Sequence, residues 1–557
     1  MSEVSNARKR HFNVTGLCTP AQDYMVDITS KLSGIKEMID AGEYFTINRA
    51  RQYGKTTTLH ALKQYLKDDY IVVKISFEGL GGQFFADEAS FCSGFARIFE
   101  KALRFSSASK EDIQCWNDIA DVNNFLELSG KITDFCQGRR VVLLIDEVDK
   151  ATDNQTFLHF LGMLREKYLS RKAGEDFTFT SVILAGVYDV KNIKLRMQEK
   201  GYAVIQEGET KYNSPWNTRE SNEENGCLHT FDECTRDHRE HALYDIASSF
   251  EIDMAFSPVE IATMLREYEA DHHTNMDIEE IASEIWNYTS GYPFLVSRIC
   301  QELDETDKPW NVHGVQAAVK AILLEKNTLF DDIAHNLENN ETLFSFMYEL
   351  LILGQEKHFE RTNSTIDLAA TYGFIRNDDG KAVVDNRMFE IKIANYFISK
   401  NLEKKDNVKI GGVLTEDVIR DGHFRMDYVL EKFASHYAEL YENEKNRKFL
   451  EEKGRLLFLT YLRPLINGKG FYHIESQTST ERRMDIVVDY GNDQFVLELK
   501  LWYGAKKHEE AYRQLWEYLE STHRQEGYLL TFDFRKQKKP VYQWVTYQGK
   551  RILDVVV

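Results

Sequence analysis

Residues 44–59 read YFTINRARQYGKTTTL, and the rest of the chain is laid out around them. Tyr44 to Ile47 are aromatic and β-branched with no breaker, which predicts a short strand. Asn48 to Tyr53 interrupt it, and Gly54-Lys55-Thr56 open a predicted helix through about Leu66. A strand, a loop and a helix with GK[ST] at the joint is the setting of a phosphate-binding loop. Backbone N–H groups at a helix start point at an anion, and the helix dipole favours negative charge there. Lys55 has the reach for β- and γ-phosphates, the Thr56 hydroxyl is placed for Mg²⁺, and Thr57 follows in the same turn. One feature departs from the usual pattern: Arg49 stands where a glycine is expected, five residues before Gly54.

The partner stretch is Arg139 to Asp149, RRVVLLIDEVD. Val141 to Ile145 is an unbroken apolar run, as a central parallel strand buried on both faces requires. It ends in Asp146-Glu147. An acid at such a strand tip is placed for the Mg²⁺ water shell, and the next acid for orienting an attacking water. The plainer reading is a buried strand with a solvated acidic end. Two such elements about ninety residues apart, in this order, point instead to ATP or GTP binding, with Glu147 as the catalytic group.

With 557 residues the chain exceeds one core, and two to four domains are expected. It is 43% hydrophobic and 28% charged, a globular balance. No apolar run approaches a membrane span, and the N-terminus MSEVSNARKRHFNV has no secretory apolar stretch. Seven scattered cysteines fit a reducing cytosol, so a cytoplasmic, membrane-free protein is expected. The net charge of −20 excludes a chain-wide electrostatic grip on nucleic acid and leaves only local contacts.

Further strands are predicted at Tyr70–Ser76, Phe179–Ala185 and Tyr202–Gln206, with helices at about 88–105, 116–135 and 157–168 between them. Strands alternating with helices give a doubly wound parallel α/β sheet with its ligand at the strand C-termini. Tyr24 to Asp27 are placed either beside a nucleotide base or, more plainly, in a core contact. Residues 207–245 are polar and turn-rich, an insertion or loop. They carry Cys227, His229, Cys234, His238 and His241, which match no paired zinc-knuckle spacing. Ser257-Pro258 is a helix start, and helices run to about Leu324. Gly291 and Pro293 end one helix and start the next. Gly373–Arg376 and Lys381–Val384 form a strand pair with an Asp-Asp-Gly turn, a hairpin signal.

The stretches INRARQYGKTTTL and LLIDEVD, the Gly291-Tyr292-Pro293 segment and the hairpin before Asn386-Arg387 resemble the AAA-ATPase-like proteins related to the STAND class of P-loop ATPases. The resemblance covers roughly residues 10–400. It implies that Gly291 and Pro293 of a helical lid lie against the nucleotide and that a winged helix helps hold the ADP form closed. Asp189 falls where P-loop ATPases keep a γ-phosphate sensor; a plain loop acid is the simpler reading. The implied layout is an ATPase core over 1–245, a lid over 246–330, a winged-helix-like segment over 331–400 and a linker over 401–424.

Residues 425–557 read as another module. Helices are predicted at about 425–442 and 446–466, then strands FYHIES (471–476), MDIVVDY (484–490) and QFVLELK (494–500). The last two meet at Gly491-Asn492-Asp493, a hairpin turn. A loop one residue shorter or longer than those three sets Asp485 opposite Glu498 or Lys500, on their face. Residues i and i+2 of a strand share a face, so Glu498 and Lys500 point together. Two carboxylates and a lysine at one end of a sheet are what metal-dependent phosphodiester cleavage needs: the acids hold Mg²⁺ and the lysine positions water and charge. A merely solvated charged face is the alternative.

An acid, Glu-x-Lys on the next strand and a following helix resemble the PD-(D/E)XK nuclease superfamily, a restriction-endonuclease-like fold. The helix over about 506–520 carries Gln514 and Tyr518 one turn apart, similar to the Gln-x-x-x-Tyr of RecB-type members. The family's first helix implies a further acid, Glu452, with Glu451 its rival. Met484 stands where many members keep proline. Arg482, Arg483, Lys506, Lys507 and the run Arg535 to Lys539 are local candidates for nucleic-acid contact. Together the two resemblances imply an ATP-binding, ATP-hydrolysing switch on a metal-dependent nuclease (Mg²⁺, or Mn²⁺ at the nuclease site). DNA is the favoured substrate, an unknown protein or nucleic acid the trigger, a homo-oligomer the state, and bacterial defence or a mobile element the setting. The reading from another class is a nucleotide-gated nucleic-acid-binding or scaffold protein whose nuclease fold does not cut.

Overall fold

The computed structural model describes residues 10–118, 122–151, 154–186, 247–248, 250, 252–352, 355–404, 418–420, 423–441, 451–466, 470–473, 486–490, 493–533, 535 and 541–557. They divide into two units. One runs to Trp286 and adds Gly291–Gln301; the other is Asn287–Ser290 with Glu302–Val557.

The first unit is built on β1 (Tyr44–Asn48), β2 (Ile71–Ser76), β3 (Val141–Asp146), β4 (Ser181–Gly186) and β5 (Ala247–Ser248), ordered β2-β3-β4-β1-β5. Every pair in this sheet is parallel. The apolar run of β3 is explained by its two covered faces. Val142 and Leu144 face a core with α1 (Thr29–Asp40) and α2 (Lys55–Leu66). Val141, Leu143 and Ile145 face a phenylalanine-rich core made with α3 (Glu88–Leu103), α5 (Phe125–Cys136) and α6 (Gln155–Ala173). Alternation by two is the strand's own geometry, so burial on both sides leaves no polar position between the ends.

The helix expected over 116–135 is instead two, α4 (Lys110–Asp118) and α5. Asn124 starts the second, its side chain accepting the Glu127 N–H at 2.9 Å, a cap that cannot sit inside a continuous helix. Tyr24 has the plainer of its two readings. It is 4% exposed and packs against Phe12 and Tyr268, with ring centroids 5.0 and 5.2 Å away. The strand expected at 202–206, Asp189, the polar stretch 207–245 and the Cys227/His229/Cys234/His238/His241 set lie outside the described residues.

Helices α7 (Pro258–His272), α8 (Ile278–Thr289) and α9 (Pro293–Glu305) follow. Ser257 and Glu260 close a capping box with proline at the first helical position.

In the second unit α10 (Val312–Leu324), α11 (Thr328–Asn339), α12 (Glu341–Leu351) and α13 (Ser364–Thr371) lead to the hairpin β6 (Ile375–Asp378) and β7 (Lys381–Val384). Asp378 pairs with Lys381, leaving Asp379 and Gly380 at φ +49° and +80°, the mirror-image turn the Asp-Gly pair predicts. Helix α14 (Arg387–Lys404) comes next. Parts of the segment expected as a linker over 401–424 are described. α14 takes its first residues, while β8 (Ile419–Arg420) and β9 (His423–Phe424) pair near its end. Phe424 is buried and stacks on Tyr490 at 4.5 Å, so that end packs on the C-terminal sheet.

Two helices, α15 (Met426–Tyr441) and α16 (Glu451–Ile466), precede that sheet. Its strands are β10 (Gly470–His473), β11 (Ile486–Tyr490), β12 (Asp493–Leu501), β13 (Glu526–Phe532), β14 (Val541–Tyr547) and β15 (Lys550–Val556), ordered β10-β11-β12-β13-β15-β14. β10, β11 and β12 meander antiparallel; α17 (Ala505–Ser521) then crosses over, so that β13 is parallel to β12. α14 lies beside the β10 edge, where the Tyr472 hydroxyl donates to Asn395 Oδ1 at 3.2 Å and Arg387 stands 3.5 Å from Asp489. Among the described residues no helix is long and apolar enough to cross a membrane.

Candidate functional site

The loop between β1 and α2 is set by one glycine. Gly54 caps α2 at φ +74°, a left-handed turn that a side chain rarely adopts, and its carbonyl takes the Thr58 N–H at 2.8 Å. Lys55 curls back, its Nζ donating to the carbonyls of Arg49 and Ala50 at 2.8 and 3.0 Å. Gln52 also sits at positive φ, +58°. Arg49 is anchored where the chain leaves β1. Its guanidinium donates to the Asn48 and Ile252 carbonyls and lies 5.9 Å from the Phe250 ring. An arginine is therefore accommodated where the common motif keeps glycine. Thr56 is exposed in the first helical turn, and the Thr57 hydroxyl accepts the Cys18 N–H at 3.3 Å.

β3 delivers Asp146, 3% exposed, at its C-terminal end. Asp146 Oδ1 accepts the Glu147 N–H at 3.1 Å, and Glu147 stands at φ +56°, where the chain leaves the strand. Burial, then the charges of Asp149, Asp146 and Glu78, push the Glu147 carboxyl above its ordinary range, against the pull of Lys55. Burial likewise lowers Lys55, while Glu147, Asp149 and Asp146 act to raise it. Lys55 and the three acids thus share one electrostatic site. That site is rich in carboxylate and carries an exposed threonine at a helix start, a donor set that fits a divalent ion with a nucleotide's phosphates.

The Gly291-Tyr292-Pro293 segment lies against this loop. Tyr292 is 1% exposed; its hydroxyl donates to the Arg51 carbonyl at 2.5 Å and its ring meets Tyr53 edge-on at 4.8 Å. Gly291 sits at φ +75°, and a Cβ there would come within 1.9 Å of the Phe256 carbonyl oxygen. A Cβ on Gly54 would lie 3.8 Å from that of Pro293.

In the second unit, Ile486 pairs with Leu497 and Tyr490 with Asp493, the register of the shorter of the two turns considered. Val487, Val496, Leu529 and Ile552 form a core with Ala511, Leu515, Tyr518 and Leu519 of α17. Glu498 and Lys500 share the parity of Val496, so both face α17. Glu498 is 1% exposed, and its Oε1 lies 2.6 Å from Lys500 Nζ. Asp485, Arg482, Arg483 and residues 536–539 lie outside the described residues. So does the Glu452 side chain, although its backbone is in the first turn of α16. Gln514 is exposed whereas Tyr518 is buried, so the helix presents only the second of that pair to the core. Lys506 and Lys507 are exposed, and Arg535 binds Asp533 at 2.7 Å. Among the described residues no three His, Cys, Asp or Glu side chains form a metal-holding group.

Sequence reading missed a polar cluster on that face. Asp554, 2% exposed, accepts the Tyr512 hydroxyl at 2.8 Å and lies 3.2 Å from His508 Nε2. Thr531, buried, pairs with Lys500 across the ladder and stands 3.5 Å from His508 Nδ1. A lone histidine and a distant aspartate in separate elements have no spacing to mark them.

No family model and no curated protein matches the chain. Among solved structures it is similar to a Walker-type ATPase of Pyrococcus abyssi, 10% identical over 69% of this chain and 99% of that one, with a TM-score of 0.42. It is also similar to the ORC2 protein of Aeropyrum pernix in its ADPNP–ADP complexes, 9% identical over 70% and 98% of the two chains, with a TM-score of 0.31.

Proposed function

We propose that this chain binds and hydrolyses ATP at the loop between β1 and α2, and that its C-terminal sheet is a metal-dependent nuclease of the PD-(D/E)XK type under that switch. The observation supporting the first half is the left-handed Gly54 cap at the start of α2, with Lys55 folded over the Arg49 and Ala50 carbonyls, Thr56 exposed in the first turn and Asp146 ending β3. The Lys55 ammonium and the N–H groups of α2's first turn bind phosphate oxygens. Glu147 orients the attacking water and Asp146 holds the cation shell. Gly291 and Pro293 carry the lid's approach to the nucleotide.

For the second half the support is the Glu498–Lys500 pair on a three-strand meander followed by a crossover helix. Asp485, the residue before Ile486, is the proposed second carboxylate, with Glu452 a further acid and Gln514 a substrate-side group. When bound, Mg²⁺ or Mn²⁺ would acidify a water and neutralise the scissile phosphate. Lys500 orients that water and stabilises charge on the phosphate; the carboxylates fix the geometry. DNA, gripped locally by Lys506, Lys507 and the flanking arginines, is the proposed partner. A homo-oligomer, an activating trigger and a defence or mobile-element setting complete the proposal. The deep burial of Glu498 favours a second reading, a nucleotide-gated binding or scaffold protein with a non-cleaving fold.

The test is a cleavage assay on plasmid, linear and single-stranded DNA and on RNA, with Mg²⁺ or Mn²⁺, with ATP, ADP or no nucleotide. Metal-dependent cutting that disappears in Asp485→Ala and changes with nucleotide is expected. Tight nucleic-acid binding without cutting in any condition supports the second reading instead.

A further inference from the structure

β2 reads IVVKIS, and Lys74 is its one charged residue. Val72, two residues earlier, belongs to the core under α1 and α2, so Lys74 faces α2 as well. Its Nζ donates to the Thr56 backbone carbonyl at 3.2 Å and lies 3.5 Å from Asp146 Oδ2. The Lys74 side chain is 17% exposed and that of Asp146 4%. One ammonium on a third element therefore touches both the GKT turn and the acid at the β3 tip. Lys55 is a separate charge, held by the carbonyls of Arg49 and Ala50.

A charge this buried is costly unless paired, and the partners of Lys74 are the Thr56 backbone carbonyl and Asp146, the acid proposed to hold the cation shell. We propose that Lys74 is a built-in counter-ion of the phosphate site, holding the position between Thr56 and Asp146 and so making nucleotide binding nearly independent of a divalent ion. A fixed ammonium needs no dehydration on binding, whereas Mg²⁺ gives up its waters reluctantly. This inference rests on the nucleotide-binding reading of the same loop. It gives Lys74 a positioning role for nucleoside di- and triphosphates, and it leaves hydrolysis to Glu147.

The experiment is equilibrium binding of fluorescent ADP and ATP to the full chain, in Mg²⁺ and in EDTA, for wild type, Lys74→Met and Lys74→Arg. Wild type is expected to lose less than about threefold in affinity on removing Mg²⁺. Lys74→Met should lose about tenfold or more, one order of magnitude corresponding to the loss of a single favourable charge contact. Lys74→Arg, which keeps the cation, should behave as wild type. An equal Mg²⁺ effect in all three proteins overturns the inference, as does a wild type that already loses tenfold in EDTA, a readout that does not depend on the variants folding. A wild type that binds nucleotide in neither buffer overturns the nucleotide reading itself, a distinct result.

Discussion

Tyr292 donates its hydroxyl to the backbone carbonyl of Arg51, joining the start of α9 to the loop before α2. The bond is part-buried, and a hydrogen bond of this kind contributes about 1 kcal/mol. Tyr292→Phe is therefore expected to loosen the hold of α9 on the loop before α2. Nucleotide dissociation followed by stopped-flow fluorescence should speed up several-fold, with the fold intact by circular dichroism. An unchanged off-rate would place Tyr292 in packing alone.

Gly291 is more demanding than Tyr292. Its φ of +75° and the 1.9 Å approach of a built Cβ to the Phe256 carbonyl leave no room for alanine. Gly291→Ala should lower the thermal midpoint by several degrees, at a cost of about 2 kcal/mol or more. Calorimetry checks this, and a midpoint within one degree of wild type would contradict the close approach.

Glu147 gives a prediction with a sign. Its carboxyl pKa is raised in the folded chain by burial and by the neighbouring acids. The folded state then holds the proton more tightly than the unfolded one, so Glu147 costs stability as pH rises through its ordinary value to its raised one. Above that window Glu147→Gln should be more stable than wild type, and the gain should vanish in acid. The same variant should bind ATP as well as wild type yet turn it over about 100-fold more slowly. Melting curves from pH 4 to 8, with a phosphate-release assay, separate the two effects.

Glu498→Gln keeps the shape of β12 and removes the charge 2.6 Å from Lys500. Metal-dependent cutting should fall at least about 100-fold, while fluorescent-ATP affinity, read in the same preparation, stays unchanged. Full cutting by this variant would remove Glu498 from the proposed centre.

Much of this was legible in residues. YFTI, VVLLI and the GKT turn marked β1, β3 and the start of α2 to within a residue, because a buried parallel strand and a glycine-led helix start each have a local signature. Glu498 and Lys500 came out on one face because parity along a strand needs no tertiary knowledge, and their 2.6 Å contact agrees. The rest depends on elements distant in sequence. Lys74 reads as an ordinary charge in a strand until β2 lies beside β3 and under α2. Asp554 becomes a partner of His508 and Tyr512 only when β15 has paired with β13. Gln514 and Tyr518, one turn apart, looked equivalent; the packing of α17 buries only the second.

Gln52 and Glu147, neither of them glycine, both hold left-handed backbone beside the proposed phosphate site. Such geometry costs of order 1 kcal/mol per residue, and glycine would relieve it. Directed evolution for heat tolerance would therefore be drawn to these two codons, and would harvest its gains from the part of the chain proposed to turn over ATP. A library meant to yield a sturdier working enzyme should hold both positions fixed and spend its diversity elsewhere.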